Sequence, residues 1–127
     1  MKKILVIEDE ENIRENIYDI LSLNNFEIFT ADNGIEGLRL AKQINPDLIL
    51  CDIMMPLMDG YGVLNEIKSD EKFTLTPFIF ISAKSNHDDI SNGMNLGADD
   101  YLIKPFLLQD LLNIVSLKLE ESERKRN

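Results

Sequence analysis

Short apolar runs alternate along the chain with segments whose apolar residues recur every three to four positions. The first run, Lys3 to Glu8 (KILVIE), is rich in β-branched residues and ends in the acids Glu8, Asp9, Glu10 and Glu11, which predicts a buried strand followed by a polar break. Ile13, Ile17, Ile20, Leu21 and Asn24 follow at helical spacing, so an amphipathic helix runs to the polar pair Asn24 and Asn25. Phe26 to Ala31 predicts a second strand. Asn33 and Gly34 then break the chain, and Ile35, Leu38 and Ala41 mark a second helix that stops before Pro46. The run Leu48 to Cys51 leads without alternation into Asp52, the pattern of a strand covered on both faces, and Pro56 and Gly60 forbid its continuation. Val63, Leu64 and Ile67 space a third helix, which gives way to a polar loop from Ser69 to Thr76. Pro77 to Ser82 is a fourth strand, with proline tolerated at its first position. Asn86 to Leu96 makes a weaker helix carrying Gly93, Asp100 to Ile103 a short fifth strand, and a last helix runs from about Leu107 toward Glu123.

Strands alternating with helices imply right-handed crossovers, a parallel sheet and helices on both of its faces: a three-layer, doubly wound α/β sandwich. Every strand then points its carboxyl end to one edge, which is where ligands bind in open α/β sheets. Those ends carry Glu8 and Asp9, then Asp52, Ser82 and Lys104, while the second strand ends at Ala31 and Asp32. Carboxylates gathered at one edge repel, so they take up protons or hold a cation. Mg²⁺ suits such a site, because it prefers oxygen ligands and commonly bridges carboxylates to a phosphate. Beside Lys104 and the Ser82 hydroxyl, a hard cation would make a site for a phosphoryl group. Taken singly, each residue has an ordinary role: acids suit a helix N-terminus, a serine caps a turn, a lysine is solvated. Their arrival at one edge is what points to phosphoryl chemistry.

Composition narrows the partners. The 127 residues, 44% hydrophobic, suit one domain with an ordinary core, expected over residues 1–121 with a charged tail at 122–127. A formal net charge of -10 disfavours a nucleic-acid surface, and only Arg124 to Arg126 is locally basic. The one cysteine, Cys51, lies in an apolar run and reads as a small hydrophobe. No apolar segment approaches the roughly 20 residues of a membrane span, so the cytoplasm is the expected location.

Four motifs in order carry a family resemblance: the pair Glu8 and Asp9, Asp52 followed by Met55 to Gly60 (MPLMDG), Ser82-Ala83-Lys84, and Gly97 to Phe106 (GADDYLIKPF). Over essentially its whole length the chain resembles the receiver domain of bacterial two-component response regulators. The resemblance implies a flavodoxin-like five-stranded parallel sheet in the order 2-1-3-4-5 and a phosphorylation-dependent signalling switch. Asp52 would accept a phosphoryl group from the phosphohistidine of a sensor histidine kinase or phosphotransfer protein. Asp9, Asp52 and the backbone carbonyl of Met54 would ligate Mg²⁺, with Glu8 acting through metal-bound water, and Lys104 would contact the phosphoryl group. The Lys104–Pro105 peptide is expected to be cis. Ser82 would shift toward the phosphoryl group and Tyr101 would rotate into the space it leaves. The surface of the fourth helix, fifth strand and fifth helix would then control a downstream effector. Such a domain catalyses its own phosphorylation and slow dephosphorylation and is not an enzyme with a diffusible substrate. Met54 and Lys84, two residues beyond Asp52 and Ser82, flank the path of a hydrolytic water in this family, and an apolar Met54 with a long Lys84 is expected to slow phosphate loss.

The last helix bears on association. Leu108, Leu111, Leu112, Val115 and Leu119 share one face, expected to be core, while Leu107, Ile114 and Leu117 lie roughly opposite and would suit a partner or simply scatter at the surface. The chain is expected as a monomer or a phosphorylation-dependent dimer. Ile90 and Ser116 stand where winged-helix members of the family usually carry charged dimer contacts, which weakens that mode. His87, the one histidine, reads as solvated, so a donor phosphohistidine must come in trans. Three rival readings remain. A haloacid-dehalogenase-like phosphatase needs a second acid where Met54 stands. A flavodoxin-like binder needs a hydroxyl- and glycine-rich loop where Glu8 to Glu11 stand. A phosphorylation-independent interaction module would not need the complete set of site residues.

Overall fold

The computed structural model describes residues 1–126. Its strands are β1 (Lys3–Ile7), β2 (Glu27–Ala31), β3 (Leu48–Asp52), β4 (Phe78–Ser82) and β5 (Asp100–Ile103). Its helices are α1 (Glu11–Ser22), α2 (Gly34–Ile44), α3 (Gly60–Lys68), α4 (His87–Asn95) and α5 (Leu108–Arg126). All strand pairs are parallel, in the order β2-β1-β3-β4-β5. The expected three-layer sandwich is therefore observed, with its strand order.

The side-chain alternation of the strands feeds two apolar layers. Ile4, Val6, Leu48, Leu50, Ile79 and Ile81 bury against Ile17 and Leu21 of α1 and Leu111, Val115 and Leu119 of α5. On the other face Leu5, Ile7, Ile49, Cys51, Phe78 and Phe80 meet Ala41 of α2 and Val63, Leu64 and Ile67 of α3. β3 and β4 are buried along their whole length, which explains their unalternated apolar runs. Helix starts follow side-chain caps: Asn33 accepts from Glu36 N, Asp59 from Gly62 N and Asn86 from Asp89 N.

Some boundaries differ from the sequence expectation. Within the polar stretch Ser69 to Thr76, residues Glu71–Phe73 form a 3-10 turn, capped by Asp70 and anchored by the buried Phe73 ring under the sheet. One aromatic among polar residues has no period to reveal it. Pro77 stands just outside β4, although its carbonyl still accepts from Ile49 N at 2.9 Å. On α5, Leu108 is 53% exposed because it lies in the first turn, ahead of the residues that reach the core. Ile114, expected to face outward, is half-buried against the core, while Leu107 and Leu117 are exposed as that stripe required. α5 runs past Glu123 to Arg126, and the buried Ser122 donates its hydroxyl to Leu75 O at 2.6 Å.

Two glycines of one helix make opposite demands. A Cβ at Gly60 would lie 2.3 Å from the carbonyl oxygen of Asp52 and 2.8 Å from Ile53 Cα, both backbone and unable to yield. At Gly62 the nearest atom is 2.9 Å away, on the flexible Met58 side chain. Gly60→Ala is expected to cost roughly 3 kcal/mol in urea unfolding. Gly62→Ala is expected to stay within about 1 kcal/mol of the parent, because the gain in helix propensity offsets the shift of Met58.

Candidate functional site

The acceptor end of β3 is fixed from both sides. Asp52 pairs in register with Ile81 of β4 and is 3% exposed. Beyond it the chain turns back: Gly60 N donates to Ile53 O at 2.8 Å, and Met58 N donates to Pro56 O at 2.8 Å around Leu57, which takes a left-handed φ of 71°. The turn presents Met54 at 63% exposure, while Asp59 caps α3 below it.

At the end of β1, Glu8 N extends the sheet by donating to Ala31 O at 3.0 Å, and the Glu8 side chain is fully buried. Glu8 Oε2 accepts from Glu10 N at 3.2 Å, and Arg14 Nη1 donates to the Glu8 carbonyl at 3.0 Å. Lys104, just past β5, is placed by its amide donating to Ser82 O at 2.8 Å, and the peptide that follows it to Pro105 is cis, as expected. Its ammonium lies 2.7 Å from Glu8 Oε1, 3.3 Å from Asp52 Oδ2 and 3.4 Å from Glu10 Oε1. The Glu8 contact is an ion pair without hydrogen-bond alignment, so Glu8 Oε1 keeps no hydrogen-bond partner; Asp9 Oδ1 is likewise buried and unpartnered.

These groups set one another's protonation. Burial, reinforced by the charge of Asp52, pushes the Glu8 carboxyl up to about 7 against the pull of Lys104. Burial also raises Asp52, offset by Glu8 and Lys104. Burial works against the Lys104 ammonium, but Glu8 and Asp52 prevail and hold it charged above the ordinary lysine range. Such a cluster demands positive charge or protons. Carboxylate oxygens of Glu8, Glu10 and Asp52 lie within 4.8 Å of one another, an all-oxygen donor set that fits a hard divalent cation; Asp9, expected as a ligand, is not in that cluster. The sequence singled out Glu8, Asp9 and Asp52 but left Glu10 undistinguished within the acidic run Glu8 to Glu11 that ends the first strand. Glu10 does occupy the N-cap of α1, yet its side chain makes no cap hydrogen bond and reaches toward Lys104 instead.

Ser82 and Tyr101 meet through one residue of backbone. The buried Ser82 Oγ accepts from Lys84 N at 3.1 Å, while the Tyr101 hydroxyl donates to Lys84 O at 2.6 Å. The half-buried Tyr101 ring sits edge-on to Phe80 with centroids 6.2 Å apart, and burial raises its phenol. Gly93 of α4 completes this wall, since a Cβ there would touch Phe80 at 3.1 Å. The structure thus gathers Glu8, Glu10, Asp52 and Lys104 around one point, leaves Asp9 outside that cluster, and sets Ser82 and Tyr101 on the neighbouring strands β4 and β5. The exposed Met54 leaves the phosphatase's second acid absent, and the acidic Glu8–Glu11 run stands where a flavodoxin-like binder needs its phosphate loop.

Comparison with known proteins agrees with this arrangement. The response regulator receiver domain family matches residues 4–116. The chain is 40% identical over 110 residues to the probable transcriptional regulator ycf27 of Porphyridium aerugineum, covering 87% of this chain and 45% of that protein. It is 38% identical over 126 residues to the regulatory protein AtoC of Escherichia coli, covering 99% of this chain and 27% of AtoC. The chain therefore spans less than half the length of these relatives. Among solved structures, a CheY-like response regulator receiver domain protein from Methanospirillum hungatei superposes with a TM-score of 0.91 at 28% identity, covering 98% of each chain. Five parallel strands in this order, the acid–lysine cluster at their carboxyl edge and the family match together establish that the chain belongs to the response regulator receiver domain family, whose members act in phosphorylation-dependent signalling.

Proposed function

We propose that Asp52 is the phosphoacceptor of this switch and that a sensor histidine kinase or phosphotransfer protein supplies the phosphoryl group. The observation that carries the reading is the Lys104 ammonium lodged between buried Glu8 and Asp52 at 2.7 and 3.3 Å. An Asp52 carboxylate oxygen attacks phosphorus, and the bond from phosphorus to the donor's imidazole nitrogen breaks. The electron pair leaves with the imidazole. Lys104, already 3.3 Å from Asp52 Oδ2, meets the equatorial oxygens of the arriving group, where its charge acts in a site largely closed to water. Mg²⁺, held by Asp9, Asp52 and the Met54 carbonyl with Glu8 behind, would neutralise charge on the same oxygens.

Phosphorylation replaces the single charge of the Asp52 carboxylate with roughly two on the phosphoryl group, a net gain of about one, and brings new acceptor oxygens beside Ser82. As Ser82 Oγ turns toward them it releases Lys84 N, and the same Lys84 carbonyl holds Tyr101. The β4–α4 loop, α4 and β5 then shift population toward a surface that an effector protein reads. The chain acts on itself alone, works in the cytoplasm, and is a monomer or a phosphorylation-dependent dimer. No helix among the described residues is long and apolar enough to cross a membrane.

Intact-protein mass after incubation with Mg²⁺ and acetyl phosphate tests the acceptor: one phosphoryl group gained by the parent and none by Asp52→Ala is expected, whereas no gain in the parent favours a phosphorylation-independent module. Met54→Asn and Lys84→Ala are expected to shorten the phosphoryl lifetime in time courses of mass or radiolabel, and unchanged lifetimes would overturn the shielding role of these side chains. The metal-free protein gives a third check. Glu8 binds its proton more tightly folded than unfolded, so urea stability is highest at or below about pH 4.5 as far as this group is concerned, and its contribution falls as pH rises to about 7. Glu8→Gln should flatten that slope, and added Mg²⁺ should recover stability at neutral pH in the parent more than in Asp9→Asn.

A further inference from the structure

Glu10 has no task in the fold. It holds the N-cap position of α1 without capping it, and its side chain is 61% exposed. Its carboxylate turns toward Lys104 Nζ, 3.4 Å away, and lies within the same 4.8 Å cluster as Glu8 and Asp52. It also lines an open groove of about 370 Å³ with Ile13, Asn16, Ala83, Lys104, Pro105 and Phe106. Among these lining residues Glu10 and Lys104 are the only charged ones, one of each sign. Asp52 does not line the groove, but Lys104 does and reaches Asp52 at 3.3 Å, so an anion nearing the acceptor from this side meets the attraction of Lys104 and the opposing charge of Glu10.

We propose that Glu10 is an electrostatic gate that discriminates against highly charged small phosphodonors, so that the switch is insulated from free acyl phosphates. This rests on Asp52 being the acceptor. Glu8 and Asp52 sit deep in the site and share the Lys104 charge, whereas Glu10 stands at the solvent side, where its field meets a donor before the transfer geometry forms. The chemistry at Asp52 is the same for every donor: a carboxylate oxygen bonds to phosphorus, and the donor's own P–O or P–N bond breaks with its electron pair. Acetyl phosphate releases acetate. Phosphoramidate, protonated on nitrogen, releases ammonia. Near neutral pH the first is a dianion and the second a zwitterion with one net negative charge. A charge field along the approach acts on that difference, while a change in cation affinity is removed from both rates by saturating Mg²⁺.

The test is the ratio of self-phosphorylation rates with acetyl phosphate and with phosphoramidate, followed by intact mass at saturating Mg²⁺. Removing one unit charge near the incoming group should raise the acetyl phosphate to phosphoramidate ratio about threefold for Glu10→Gln at low salt, and about tenfold for the two-charge change Glu10→Lys. At about 1 M salt, where screening acts over roughly 3 Å, the ratios of all proteins should converge. Asp19→Asn removes the same charge from a separate groove lined by Arg14, Tyr18 and Thr30, and should leave the ratio at the parent value. A ratio unchanged in both Glu10 variants, or both rates rising equally, overturns the gate and leaves the acceptor assignment standing. If neither donor phosphorylates the parent, the acceptor assignment and the gate fall together.

Discussion

The structure depends on one buried ion pair network. Glu8, just past β1, and Asp52, ending β3, are carried into a nearly water-free edge by two adjacent strands whose residues Ile4–Ile7 and Leu48–Cys51 are buried in the core. Two carboxylates so placed are tolerable only beside positive charge. β5 supplies it at the far side of β4, so the ammonium of Lys104 reaches across the end of one strand to meet acids from two others. The sheet order is what makes this possible. With β1 and β3 adjacent and β4 and β5 following, all four strand ends fall within one side chain's reach of a single point. The fold and the site are the same constraint seen at two scales.

That compensation is incomplete, and the incompleteness is informative. Lys104 carries one charge against Glu8, Glu10 and Asp52, and Asp9 adds a buried oxygen with no partner. A site meant only for stability would match its charges or replace them with apolar groups. The carboxyl edge of the sheet is therefore left with a residual demand for positive charge that the fold itself does not meet.

The layout of strands was legible because β1, β3 and β4 are buried on both faces and so carry unbroken apolar runs that no helix period imitates. The strand-end residues could then be gathered by topology alone. Less was legible where one residue stands against its surroundings. Phe73 anchors a 3-10 turn inside a polar stretch, and Leu108 obeys the helical period yet lies ahead of the core. Glu10 was hidden for a related reason: spacing says which residues end a strand, but only the rotamer tells whether a carboxylate at an N-cap position serves the helix or its neighbour. Likewise, the family resemblance coupled Ser82 and Tyr101 as a switch, but their common attachment to Lys84 is a property of loop conformation that no spacing shows.

The fourth helix differs from α1, α3 and α5 in what it contributes to the interior. α1 and α5 bury branched aliphatic side chains, and so does α3, whereas α4 buries Gly93 alone and touches the rings of Phe80 and Tyr101 through bare backbone. Of its own side chains α4 commits little apolar area to the core, so lifting it away would lose mainly the cover it gives Phe80 and Tyr101. Its amide protons should therefore exchange with solvent through openings that leave the sheet intact. The segment nearest the Ser82–Lys84–Tyr101 linkage is in this sense expected to open on its own, on a local equilibrium separate from the stability of the whole domain.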